Sequence, residues 1–550
     1  MRITGHRIVA DAAHAGGAGS LELITQEREA GSGVRVDLVL RNPAAEAVRV
    51  DRVLLATDAT PSMVLEHGWQ SWSTVRRTAP SDVRPKRAGA PGWLKAQQHA
   101  DPGTSGAVVA GDHFLLMDAG LIGALDGRRN LTTVLAHDAS PVEVAVLLDS
   151  VPIPARGERI LDPLWFAAGD PGRLYSEYAG LWGLESGART TAQMPVGWCS
   201  WYEYFTAVRP EQILSNLAHA SDHGVDLVQV DDGYQAEIGL WLQQAADWSL
   251  GLDAIAEDIT KAGCLPGIWT APFLAAADGA IARERQHFLL REPGTGDPVR
   301  AIYNPQWRGW CNALDTTHPE VLEHLRETFA SLTDAGYGYQ KIDFCYAAAV
   351  PGRRHRQDLT RAEALRLGVE AVREGMGDDR LLLGCGCPLA PVVGLVDAMR
   401  VSEDVAPYWE VRGAFEGYEE AAPAAKNSVM ATVLRAPLHR RVFANDPDCV
   451  LLRPTGTLLS AEERRVVLHT AVGAGAYLVL SDDLDRYGPA EWGRLSRATA
   501  LLPQADTALD IADPFAPTVV VSGSHLDLTV NWTTVKSRLA RASDGAAFLP

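Results

Sequence analysis

Lys341 and Asp343 lie two residues apart in YQKIDFCYAAAV (339–350), a run that otherwise reads as a buried strand. Side chains alternate faces along a strand, so both point the same way and each offsets part of the cost of burying the other. A second carboxylate, Asp404, stands near the end of a later apolar run in RVSEDVAPYW (400–409). Two carboxylates from different strands, converging on one pocket, suit cleavage of a glycosidic bond. One protonates the leaving oxygen while the other attacks carbon or activates water. Trp72, Trp198, Trp201, Trp269 and Trp409 offer flat apolar faces for sugar C–H surfaces, and Asp231 and Asp232 can accept hydrogen bonds from sugar hydroxyls. Taken singly, such residues are better read as core or as helix caps. As a set at strand ends they read as a site.

Other chemistries find little support. There is no phosphate loop, no dinucleotide fingerprint after a strand and no HEXXH motif. The CGC at 385–387 lacks a spaced second cysteine pair or a histidine partner, so it reads as packing or pocket lining rather than a metal site. NDPDC (445–449) lacks the twelve-residue calcium-loop pattern and reads as turn chemistry around Pro447. No metal and no cofactor is expected.

The elements that must position these residues fall into three stretches. Residues 1–190 carry short alternating runs such as GVRVDLVLRN and AVRVDRVLLAT, separated by turn residues, and predict an N-terminal β-sandwich. From 191 to 494, eight compact apolar strands alternate with helical stretches such as 210–222, 318–335 and 360–375, which predicts a central (β/α)8 TIM barrel. Asp231, Asp232, Trp269, Asp343, Cys385 and Asp404 all fall at or near the C-terminal ends of those strands, where a barrel places its site. Residues 495–550 return to short alternating strands and predict a small C-terminal β-domain, giving a multidomain α/β chain.

The 550 residues carry 69 acidic and 50 basic side chains, a net charge of -19, which argues against nucleic acid and acidic membranes as partners. No run approaches the roughly 18–20 apolar residues of a membrane helix, and the N-terminal MRITGHRIVADAAHAGGAGS has no signal-peptide core. The seven cysteines are odd in number and absent from the first 198 residues, so a reduced, cytoplasmic protein is expected.

Seven motifs occur in the order seen in the α-galactosidases of glycoside hydrolase family 36, which the chain resembles over most of its length. They are GWCSWYEYF (197–205), QVDDGY (229–234), GIWTAPF (267–273), KIDF (341–344), LGCGCPL (383–389), RVSEDVAPYW (400–409) and NDPDC (445–449). GWQSW (68–72) looks like the loop by which the family's N-terminal domain reaches over the barrel mouth, and the chain length resembles that of compact bacterial members.

The resemblance implies a retaining exo-acting α-galactosidase that takes terminal α-galactosides, with Asp343 as nucleophile and Asp404 as general acid/base. It also implies that Lys341 and Arg400 contact the sugar or the nucleophile, that Asp231 and Asp232 bind its 4- and 6-hydroxyls, that Trp269, Trp201 and Trp72 bound the pocket, and that Cys385 and Gly386 line the floor near the 2-hydroxyl. VSED departs from the IGPD of some compact members and places Glu403 beside Asp404. Neighbours in an extended segment face opposite ways, which favours Asp404 as the acid. With Asp343 charged, like-charge repulsion should raise the pKa of Asp404. Alternatives are an α-N-acetylgalactosaminidase, a raffinose-synthase-like transglycosylase and a catalytically silent sugar-binding protein. A homo-oligomer is possible, because Trp72 could complete either its own site or a neighbour's.

Overall fold

A computed structural model describes residues 1–10, 20–73, 75–83, 98–101, 108–412, 422–543 and 547. Part of the N-terminal stretch read above, residues 11–19, lies outside them.

Eight short strands form one all-parallel sheet at the centre of the chain: Gly197–Cys199, Leu227–Val230, Leu265–Thr270, Tyr339–Ile342, Leu381–Gly384, Ala398–Arg400, Ala444–Asp446 and Val479–Leu480. Consecutive strands pair from the first to the seventh, and the eighth lies beside the first. The segment after the seventh meets the eighth at a single bridge, Val450 to Leu480. These strands are buried almost throughout, as parallel strands covered on both faces must be. The anticipated helices follow at Pro210–Asp222, Pro319–Asp334 and Arg361–Met376. Pro at the first turn opens two of them, and a Thr360–Glu363 capping box opens the third. Between the fifth and sixth strands no helix intervenes among the described residues.

The N-terminal strands differ from the expected pair of stacked sheets. Thirteen of them pair into one continuous, almost wholly antiparallel sheet. Its curvature brings Val36, Leu38 and Leu40 from one end into the same core as Val53, Leu55, Val144 and Val146 from the other. Alternate residues on these strands face the opposite way. Leu54, Leu65, Phe114, Leu116, Leu147 and Trp165 join the core that contains the parallel sheet. One face therefore encloses the sheet's own interior, and the other packs onto the rest of the molecule. A four-stranded antiparallel sheet (510–541) closes the chain, and its Leu528 and Leu539 enter that larger core.

Candidate active site

The polar residues cluster at the C-terminal end of the parallel sheet. Asp231 and Asp232 follow the second strand, Trp269 lies near the end of the third, and Asp343 follows the fourth. Cys385 follows the fifth strand, and Arg400 ends the sixth.

Asp343 is held from two sides. The Trp269 indole N–H donates to Oδ2 at 3.0 Å, and the Phe344 amide donates to Oδ1 at 2.7 Å. Phe344 adopts φ 53°, a left-handed backbone uncommon outside glycine, and this turn aims its amide at the carboxylate. The two donors leave one orientation open to Asp343. Lys341 is 6% exposed and does share its strand face, but its ion-pair partner is Asp231, 3.2 Å away, rather than Asp343. Burial opposes the ammonium charge, yet Asp231 and, more weakly, Asp343 raise its pKa well above the ordinary value.

Asp404 lies 3.2 Å from Arg400 Nη1. Arg400 binds three carboxylates: Asp404, Asp446 at 3.0 Å from Nε, and Asp448 at 2.6 Å from Nη2. Register explains this, because Arg400 and Asp446 are paired residues on adjacent strands. The NDPDC segment makes the expected turn, with the Asp448 amide donating to Asp446 Oδ1 at 2.9 Å, and it also serves as the clamp for Arg400. Although 32% of the Asp404 side chain is exposed, surrounding atoms crowd it. Its pKa is raised to about 7, first by burial and then by Asp448 and Asp343 against the pull of Arg400. Glu403 has other surroundings: it is 1% exposed and neither carboxyl oxygen has a hydrogen-bond partner. Burial lifts its pKa to about 8, which keeps it neutral in the ordinary range.

Trp72 reaches this site from its own chain. Its ring meets Phe344 edge-on at 4.9 Å, and a side chain at Gly386 would place Cβ 2.7 Å from the Trp72 ring and 3.0 Å from the Phe344 amide. Gly386 also holds φ +48°. Close approach and backbone both call for glycine there. The loop carrying Trp72 is latched by Arg435, fully buried, whose guanidinium donates to the carbonyls of Ser71 and Gln70 and to His67 Nε2. The Trp201 ring, on the turn after the first parallel strand, meets Phe205 at 5.2 Å.

No protein-family profile matches the chain. An α-galactosidase from Thermus thermophilus, solved with p-nitrophenyl α-D-galactopyranoside, is 27% identical over 97% of this chain and 100% of that one, with a TM-score of 0.75. The chain is similar in sequence and fold to this α-galactosidase over nearly its whole length. The family 36 α-galactosidase AgaA from Geobacillus stearothermophilus shares the fold at 13% identity, covering 96% of this chain and 78% of that one, with a TM-score of 0.63. In sequence, AgaA is 23% identical over 193 residues, or 32% of this chain, and the match spans a quarter of its own length.

One residue at this site escaped sequence reasoning. Trp307 sits at the turn between the strands Arg300–Asn304 and Gly309–Ala313, in a small antiparallel sheet inserted after the third parallel strand. Its indole N–H donates to Asp232 Oδ2 at 2.7 Å, while Gln235 donates to Oδ1 at 2.6 Å. The ring lies 5.1 Å from Phe344 and 6.5 Å from Trp269. Burial raises the pKa of Asp232 to about 6, with Asp231 and Asp343 adding and the two hydrogen bonds opposing. The available signal was the length of the connection from Thr270 to Tyr339, about twice that of its neighbours.

Proposed function

We propose that the protein is a retaining α-galactosidase acting on terminal α-galactosides through a covalent glycosyl-enzyme. The observation that carries this reading is the unlike setting of two convergent carboxyls: Asp343 oriented by two N–H donors, and Asp404 raised to about 7 in part by the charge of Asp343. In the first step an Asp343 oxygen bonds to the anomeric carbon as the glycosidic C–O bond breaks, and Asp404 gives its proton to the leaving oxygen. Neutralising Asp343 removes one cause of the raised pKa, so Asp404 then takes a proton from water. The resulting hydroxide displaces Asp343 from the sugar, and net retention follows from two inversions. Such a mechanism needs the two carboxyls about 5–5.5 Å apart.

In this reading the eight-stranded sheet is a (β/α)8 barrel at 191–494, between an N-terminal β-domain at 1–190 and a C-terminal one at 495–550. Asp231, Asp232, Trp269, Trp307 and Trp72 bound the galactose, with Cys385 and Gly386 beneath it. Lys341 acts through Asp231, and Arg400 through Asp404. Contact between Gly386 and Trp72 supports galactose over its 2-acetamido counterpart, because the loop assigned to the 2-position has no slack. The α-galactosidase from Thermus thermophilus solved with stachyose, 28% identical, supports the substrate class. Seven buried free thiols suit a cytoplasmic setting.

The test is turnover of aryl α-galactoside beside aryl α-N-acetylgalactosaminide, with Asp343→Asn as control and the anomer of the first product read by NMR. Galactoside turnover with retention, lost in Asp343→Asn, is the expected result. Turnover of the acetamido sugar alone, an inverted product, or an active Asp343→Asn would refute it.

A further inference from the structure

The helices Ala461–Thr470 and Pro489–Thr499 flank a cleft of about 680 Å³, counted with its open mouth. Its lining includes Arg464, Arg465, His469, Arg494 and Arg497. Arg465 and His469 are four residues apart on the first helix and Arg494 and Arg497 three apart on the second, so each pair shares a face, and both pairs, with Arg464, line the same space. Four guanidiniums meet here in a chain of net charge -19.

Only two of the four have a carboxylate in direct contact: Glu462 bonds Arg465, and Glu491 lies 3.2 Å from Arg494. Arg464 donates to the Leu459 carbonyl at 2.6 Å and has no carboxylate partner among the described residues. Arg497, exposed on its helix, has none either. Burial and then the charge of Arg494 lower the pKa of Arg464, against the weaker opposing charges of Glu491, Asp482 and Glu463.

A buried donor points to a ligand independently. His469 is 1% exposed, and its Nε2 has no hydrogen-bond partner. Its Nδ1 lies 2.9 Å from Ser537 Oγ. With the serine hydroxyl donating to Nδ1, the imidazole proton sits on Nε2. The Nε of Arg465 is also buried and unpartnered. Unmade hydrogen bonds at buried polar atoms are costly, and an acceptor in the cleft would satisfy them.

We propose that this cleft binds a small phosphate-bearing anion, free phosphate or a phosphate monoester, between Arg464 and Arg497 with His469 Nε2 as a neutral donor. Two unmatched guanidiniums suit a group that carries about two negative charges near neutral pH, and their planar forks suit its oxygens. A nucleic acid or anionic membrane is disfavoured by the field of the remaining surface.

Inorganic phosphate and a hexose 6-phosphate, titrated separately by calorimetry at constant ionic strength against chloride, test the proposal. The expected result is saturable binding, at least tenfold weaker in Arg464→Gln/Arg497→Gln and weakened in the exposed single variant Arg497→Gln, with circular dichroism unchanged in both. Equal affinity for the two probes would support recognition of the phosphate group alone; tighter binding of the ester would support contacts to its organic part as well. Binding no better than chloride, or undiminished in the double variant, would overturn the proposal. Dissociation of an oligomer in the variants without phosphate binding would also overturn it, assigning the arginines to a subunit contact.

Discussion

Lys341 forms its ion pair with Asp231, 110 residues earlier in the chain, and leaves Asp343 on its own strand to Trp269 and the Phe344 amide. The ammonium thus fixes the proposed hydroxyl acceptor while still contributing positive potential to the proposed nucleophile. Lys341→Met should therefore impair sugar binding as well as chemistry, raising KM and lowering kcat together. Losing one partner of a buried pair costs about 3–5 kcal/mol, so a fall in melting temperature should accompany the kinetic loss, read by thermal denaturation and initial rates.

In the proposed mechanism Asp404 must hold a proton for the first step, and its pKa is about 7. Asp232, in the same proposal, must be ionised to accept from two donors and a sugar hydroxyl, and its pKa is about 6. Activity on the free enzyme should therefore fall below about pH 6 and above about pH 7, giving a narrow bell in kcat/KM. Asp404→Ala should abolish the alkaline limb. Its rate loss, of the order of 10²–10⁴, should be largest for sugar leaving groups and smallest for nitrophenyl.

Trp307→Phe keeps a ring beside Phe344 and deletes the N–H donated to Asp232. A hydrogen bond to a charged group contributes about 1.5–3 kcal/mol, so kcat/KM should drop at least about tenfold. Because that bond lowers the pKa of Asp232, the acid limb should also move to higher pH. An unmoved limb would show that Trp307 is only a wall.

Gly386→Ala would set a methyl group against the Trp72 ring at a position of positive φ. The strain should cost about 1–3 kcal/mol and lower kcat/KM. In a Trp72→Ala background the activity penalty should shrink, since the two residues touch. Equal penalties in both backgrounds would place the effect in the backbone alone.

Glu403 binds its proton up to about pH 8 when folded and only to about pH 4.5 when unfolded. Between those values the folded protein holds the extra proton, so the contribution of this group to stability falls as pH rises. Glu403→Gln mimics the neutral form and escapes that loss. Its stability should draw ahead of the parent's between pH 5 and pH 8 by an amount on the order of a few kcal/mol, read as a rise in melting temperature relative to the parent.

Much of this was legible in the chain because it is local. All eight parallel strands fall within the apolar runs that announced them, and the helices after Arg209, His318 and Thr360 carry their own starting signals. Asp343 and Asp404 stood out as charges at strand ends. What escaped depends on distant pairing. The clamp of Arg400 by Asp446 and Asp448 follows from strand register, and Trp307 reaches Asp232 from an inserted hairpin. The N-terminal strands alternate as a sandwich would, but alternation cannot reveal that they pair into one unbroken sheet whose two faces are both apolar.

That sheet precedes its covering surface in the order of synthesis. While the barrel segment is still being made, Leu54, Leu65, Phe114, Leu116 and Trp165 have nothing to pack against. A nascent intermediate with so broad a greasy exterior is prone to aggregate. Chaperone supply and the pace of translation should therefore govern the yield of this chain more than the stability of the finished molecule does.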